Sequence, residues 1–203
     1  MKLKYIVILL LSLVLNLFGQ NGEKKSGYIS IHAGAYTILS YNYNKYYDSK
    51  YGTIFGASLG IPLSSKIRLF SKISYFENNG IPTSDVTGLK EGTSILKQVL
   101  INGGMQFKIA NSKVVNLYLQ TGLTLAIIDE ERKNKKGNFT YEIEGNGNLG
   151  IFIGSILEIK FGNSPFSITG EFNYIYSWSP LLEYDETYNA VSFVTGIRYY
   201  FGR

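Results

Sequence analysis

Eight stretches of this chain alternate apolar and polar residues one by one, and that period of two fixes strands rather than helices as its structural unit. The stretches are Gly27–Ile38, Thr53–Ile61, Ile67–Phe76, Ile95–Ile109, Val115–Ile127, Leu149–Phe161, Phe166–Trp178 and Val191–Phe201. In the first, Ile29, Ile31, Ala33 and Ala35 share one face, against Ser30, His32, Gly34 and Tyr36 on the other. In the fifth, Val115, Leu117, Leu119, Leu123, Leu125 and Ile127 oppose Asn116, Tyr118, Gln120, Gly122 and Thr124. The others follow suit: one face is Leu, Ile, Phe and Tyr, and the other is Gly, Ser, Gln, Asn and charge.

The connections alternate as regularly as the strands. Pro62–Lys66, Ala110–Lys113 and Gly162–Pro165 are short, whereas Ser40–Gly52, Glu77–Thr93, Asp129–Gly145 and Ser179–Asn189 are long and polar. A soluble sandwich would turn the bulky apolar face inward. A small barrel has room inside for the small polar set and not for the bulky one, so the apolar face must look outward, at lipid. Lipid offers no hydrogen-bond partners, so a sheet crossing it must close on itself. The expectation is an all-β chain: an eight-stranded antiparallel transmembrane up-and-down β-barrel with short periplasmic turns and long extracellular loops. Aromatic residues near strand ends (Tyr36, Tyr75, Phe76, Phe107, Phe161, Phe166, Tyr174, Tyr176, Trp178, Tyr199 and Phe201) are expected to form interfacial girdles.

Ahead of the strands, Lys2 and Lys4 precede an apolar run at Tyr5–Phe18, followed by Gly19 and the polar Gln20–Lys25. A spanning helix needs about 20 apolar residues, so residues 1–19 read as a secretory signal peptide cleaved near Gly19. Residues 20–25 then form a short periplasmic segment and 26–203 the barrel. The 203-residue chain carries a net charge of +5, and loss of Lys2 and Lys4 lowers this to +3, too little to argue for nucleic acid. With no Cys and one His there is no material for disulfides, thiolate-metal sites or a thiol nucleophile. No cofactor or metal is expected.

The closing strand, Val194-Thr-Gly-Ile-Arg-Tyr-Tyr-Phe201, resembles that of small bacterial outer-membrane β-barrel proteins, and Leu117-Tyr-Leu-Gln-Thr-Gly-Leu123 is similar to a fifth strand common among them. The resemblance implies a porin-like barrel of the Gram-negative cell envelope. It also implies that Phe193, Ile197, Tyr199 and Phe201 form the signal read by the barrel-assembly machinery. Expected surroundings are outer-membrane lipid and lipopolysaccharide around a monomer.

Functional candidates lie in the lumen and the loops. Seven charges fall on the inner face: Arg68, Lys72, Lys108, Glu158, Lys160, Glu171 and Arg198. Buried charges must pair or stay hydrated, and Glu171 with Arg198, Lys72 nearby, is the expected pair. These charges either form a static polar core or a gate that rearranges to pass ions. His32 with Ser30 raises the question of a Ser–His relay. Residues at i and i+2 stand about 7 Å apart along a strand, and their parity points them into the lumen, so an enzymatic role is not expected. In the first long loop, Tyr41, Tyr43, Tyr46, Tyr47 and Tyr51 suit a binding surface or an extended girdle. Arg132, Lys133, Lys135 and Lys136 sit in a mixed-charge tip able to meet lipopolysaccharide phosphates. The role expected is a non-enzymatic structural or interaction scaffold presenting surface loops to an extracellular ligand of unknown identity. A small or gated pore is the first alternative and a lipid-modifying enzyme the second.

Overall fold

A computed structural model describes residues 26–39, 47, 51–81, 92–134, 140–178 and 189–201. The signal-peptide and N-terminal segment readings for residues 1–25 lie outside them. The described residues form eight strands: β1 (Gly27–Ile38), β2 (Gly52–Pro62), β3 (Ile67–Gly80), β4 (Thr93–Asn111), β5 (Val115–Lys133), β6 (Thr140–Lys160), β7 (Phe166–Trp178) and β8 (Ala190–Phe201). Each pairs antiparallel with its sequence neighbours, and β1 pairs with β8 from Gly27↔Phe201 to Ile38↔Ala190, closing the barrel. Closure removes both sheet edges, so every strand has a ladder on each side.

Strands β3 to β6 run beyond the expected limits. Glu130 pairs with Ile143 and Lys133 with Thr140, so much of the expected long loop at Asp129–Gly145 is ladder, past a bulge between Ile128 and Glu130. Likewise Glu77–Gly80 pair with Ser94–Lys97. Apolar alternation is needed only where one face meets an apolar phase. In the extensions the outward positions carry Glu77, Lys97, Asp129 and Glu131 in place of apolar residues, while Asn78, Ser94 and Glu130 stay buried on the inner face.

Three serines shape the short turns. Ser64 Oγ accepts from the amides of Lys66 and Ile67, Ser112 Oγ from those of Val114 and Val115, and Ser164 Oγ from that of Phe166. These bonds satisfy backbone donors where the ladder stops. Gly162 takes φ +54°, a left-handed conformation that favours glycine.

The outward face is apolar on every strand: Ile31, Phe55, Ile73, Met105, Leu123, Ile153, Phe172 and Phe193 are all exposed. Rings pair laterally on that face, Phe55 with Tyr75 at 5.4 Å and Phe166 with Tyr199 at 5.2 Å between centroids. An apolar surface that wraps the whole cylinder exceeds what a water-soluble monomer tolerates. Tyr36 and Phe76 do not join a girdle. Both are buried in the lumen, their rings 4.5 Å apart, because their parity places them opposite the lipid-facing set.

The lumen itself divides in two. All eight strands contribute to one apolar cluster, most of it toward the long loops: Tyr36 and Ile38, Ile54, Phe70 and Phe76, Leu96 and Leu100, Ala126 and Ile128, Phe152, Ile175, Ala190 and Val194, with Asn78, Ser94, Gln98 and Asn148 buried in the same half. The expectation of a uniformly small, polar interior is therefore corrected. Glycines opposite the large rings make the room. Phe76 lies over Gly52 and Tyr28 over Gly60, where an added Cβ would run into the Tyr28 ring. Since Tyr28 is fully buried and cannot swing away, Gly60→Ala is expected to cost about 1–3 kcal/mol. Urea unfolding in lipid vesicles, read by heat-modifiable gel migration, checks this. An unchanged midpoint would mean that the ring moves freely.

Candidate functional site

Toward the short turns the lumen is polar, and its organising group is Glu158. The β6 side chain is fully buried. It accepts hydrogen bonds from Asn116 Nδ2 (2.8 Å), Tyr118 Oη (3.0 Å), Ser167 Oγ (2.9 Å) and Tyr200 Oη, and pairs with Arg198 Nη1 at 3.4 Å. Arg198 is also fully buried, its guanidinium carbon 3.9 Å from the Tyr28 ring centroid. Arg68 lies among three rings, 4.8 Å from the centroid of Tyr118, 5.3 Å from Tyr200 and 5.7 Å from Tyr28, and its Nη1 donates to Tyr200 Oη at 3.1 Å. Lys108 Nζ stands 5.9 Å from the Tyr118 centroid. Lys160 turns to the wall, donating to the Ser112 carbonyl at 2.6 Å.

A second polar group sits higher in the lumen. Lys72 Nζ on β3 donates to Glu171 Oε2 on β7 at 2.7 Å, with both groups buried. These strands are four apart in an eight-membered ring, so the bridge crosses the barrel. The expected Glu171–Arg198 contact is not the one formed. Register sets Glu171 opposite Val194 and Arg198 opposite Ser167, four residues further down β8, which is about 13 Å along a strand. Around this bridge Gln106 Nε2 donates to Gln120 Oε1 at 3.3 Å, Gln120 Nε2 to Asn173 Oδ1 at 2.5 Å and Asn173 Nδ2 to Ser192 Oγ at 3.2 Å.

His32 is buried and meets Ser74 of β3, not Ser30: Nε2 lies 2.9 Å from Ser74 Oγ, while Nδ1 has no partner. Ser30 Oγ donates weakly to the Ile31 carbonyl at 3.4 Å. A nucleophilic relay needs a third group to orient the imidazole, and His32 Nδ1 has none. Among the described residues no group of three or more His, Asp or Glu could hold a metal ion.

The long-loop rim carries the feature that the sequence reading missed. Tyr47 is buried and its hydroxyl donates to Glu130 Oε1 at 2.5 Å. Arg132 Nε and Nη2 donate to the same oxygen at 2.9 and 2.7 Å. Tyr47 is thus an anchor and not part of an open binding surface. Tyr51 is exposed, and Tyr41, Tyr43 and Tyr46 lie outside the described residues. Lys133 pairs with Glu131, and Lys135 and Lys136 lie outside the described residues. Glu130 continues the inward parity of Asn116, Gln120 and Thr124 along β5, because the bulge adds its extra residue to β6, but it lies beyond Ile127, where the expected strand stopped. Tyr28, Tyr118 and Tyr200 were legible as lumen residues by parity with Ser30, Asn116 and Arg198. Phe193, Ile197 and Tyr199 are exposed on the outer face of β8, with Phe201 at its end.

Tyr47→Phe removes one bond to a buried carboxylate. It is expected to raise trypsin cleavage between residues 40 and 52 by about tenfold, the population effect of losing a charge-assisted hydrogen bond. Cleavage at the wild-type rate would show that Tyr47 does not hold this loop.

No protein-family model and no curated protein sequence matches the chain. Solved structures do. Ail, the attachment invasion locus protein of Yersinia pestis, aligns over 88% of this chain and all of its own, at TM-score 0.58 and 14% identity. A major outer membrane protein of Thermus thermophilus aligns over 86% of this chain and 99% of its own, at 0.57 and 12%. Neisserial surface protein A aligns over 85% and 96%, at 0.55 and 13%. At these identities the likeness is one of fold.

Proposed function

From the premise that the chain has the fold of the small eight-stranded outer-membrane β-barrels, we propose that it is a non-enzymatic surface scaffold: an exported barrel that presents its loops and does not conduct ions through its lumen. In this reading residues 1–19 are removed, the strands sit in the outer membrane with the short turns in the periplasm, and lipopolysaccharide surrounds the upper wall. Phe193, Ile197, Tyr199 and Phe201 serve insertion by the assembly machinery. The observation that carries the reading is the apolar cluster drawn from all eight strands, most of it in the long-loop half of the lumen. Close-packed side chains exclude water, and rearranging the Lys72–Glu171 bridge leaves that cluster in place. His32 and Ser74 are likewise buried on the inner face, on the side of the wall away from lipid.

On the loop side Tyr51 is exposed, and Tyr41, Tyr43 and Tyr46 are the further candidates in that Tyr-rich stretch of sequence. Tyrosine supplies rigid amphipathic contact area at low entropy cost, which suits adhesion. A structure of the same fold, Ail, was solved in complex with the heparin analogue sucrose octasulfate, which supports the view that such a barrel can serve binding.

The test is single-channel recording of refolded protein in a planar bilayer, with heat-modifiable gel migration as the folding control. The folded barrel is expected to be silent. Reproducible conductance steps that change in Glu171→Ala would overturn the scaffold reading in favour of a gated pore.

A further inference from the structure

The short-turn half of the lumen holds more positive charge than it neutralises. Arg68, Lys108 and Arg198 converge there on the rings of Tyr28, Tyr118 and Tyr200. The carboxylate facing them is Glu158, and its oxygens are already committed to four neutral donors and Arg198. Arg68 and Lys108 have no carboxylate within ion-pair distance among the described residues. The fully buried Arg198 has Nε and Nη2 without a hydrogen-bond partner. Ring faces stabilise cations from the side but leave their N–H donors unfilled.

The placement of the three is graded. Arg198 is deep, whereas Arg68 and Lys108 are partly exposed near the short-turn mouth. Arg68 lies opposite Gln106 on β4, two residues from Lys108. Diagonal neighbours of that kind are about 7–8 Å apart, a gap that one tetrahedral or planar oxyanion can bridge by accepting from both. The apolar cluster occupies much of the other half, and Arg68 and Lys108 stand partly exposed near the short-turn end, so entry is from that side. Low-dielectric walls focus the positive potential along that entry.

We propose that the short-turn mouth of the barrel is a binding site for a small oxyanion of phosphate type, held between Arg68 and Lys108 over the Tyr118 ring, with Arg198 behind it. The recognising chemistry is charge-assisted hydrogen bonding from a guanidinium and an ammonium. The eight-stranded wall separates this site from the acyl chains outside, so the ligand is a free oxyanion rather than a lipid headgroup. This inference is independent of the scaffold proposal, since the mouth site needs no through-path.

The experiment is calorimetric and 31P NMR titration of the refolded full barrel, in a nonionic detergent, with inorganic phosphate against sodium chloride at matched ionic strength. Saturable phosphate binding is expected, weakened about tenfold or more by Arg68→Gln and by Lys108→Gln, each of which removes one charged donor. Lys160→Gln, whose donor is bonded to the turn, is expected to bind as the wild type does. A repeat in nanodiscs with and without phosphatidylglycerol separates the sources. Unchanged phosphate affinity supports a free ligand, and competition by the lipid moves the same site to a headgroup. Equal responses to phosphate and chloride, or undiminished binding in Lys108→Gln, would overturn the proposal. Lys108 is partly exposed, so that variant stays informative even where Arg68→Gln fails to fold.

Discussion

Glu158→Ala is expected to destabilise the barrel by about 3–5 kcal/mol, the cost of breaking a buried ion pair from one side. The change removes the carboxylate facing Arg198, a guanidinium with no exposed surface and two nitrogens already lacking partners. It also strips the acceptor from Asn116, Tyr118, Ser167 and Tyr200 together. Four strands (β5, β6, β7 and β8) meet at this one group, so its loss is felt as a lost junction and not as one lost contact. Glu158→Gln retains the shape and an acceptor oxygen but not the charge, and is expected to fall between wild type and alanine. Urea unfolding midpoints in vesicles of fixed composition measure the series. A Glu158→Ala barrel within about 1 kcal/mol of wild type would mean that the network is hydrated and contributes little.

The second large effect concerns the bridge across the lumen. Glu171→Ala leaves the Lys72 ammonium buried opposite nothing, and about 3–5 kcal/mol is again expected. The informative variant is the double replacement Lys72→Met with Glu171→Met. Removing both charges abolishes the desolvation penalty along with the attraction, so the double variant is expected to be more stable than Glu171→Ala alone. A double-mutant cycle on the same unfolding signal gives the coupling. Strictly additive costs would show that the two groups, 2.7 Å apart in the structure, do not act as a pair.

Much of the fold was open to direct reading, for a local reason. Side chains on a strand alternate strictly, so Ile29, Ile31, Leu123 and Phe193 could be assigned to the outer face one at a time, without knowledge of any other strand. The strand ends at β4 to β6 were not readable, because hydrogen-bonded ladder continues at Glu130–Lys133 after the apolar signal has stopped. Nor was the apolar filling of the long-loop half. Phe70, Leu96, Leu100, Phe152 and Val194 sit at inward parity, yet whether they clash or pack depends on which glycine stands across from them. Val194 opposite Gly34, Phe70 opposite Gly104 and Phe152 opposite Gly122 are matches made by register.

The candidate site divides in the same way. Parity placed Arg68, Lys72, Lys108, Glu158, Glu171 and Arg198 on the inner face, since facing depends only on position along one strand. Which of them meet depends on closure. Lys72 and Glu171 are 99 residues apart, and Glu158 reaches Arg198 across the intervening β7 because tilted strands shift height from one neighbour to the next around the ring. The sequence alone thus determined strand number, facing and the short-turn and long-loop ends. The tertiary structure decided the partners, the two-part lumen and the anchoring of Tyr47 on Glu130. Alternation is a property of each strand, whereas stagger exists only once all eight have closed.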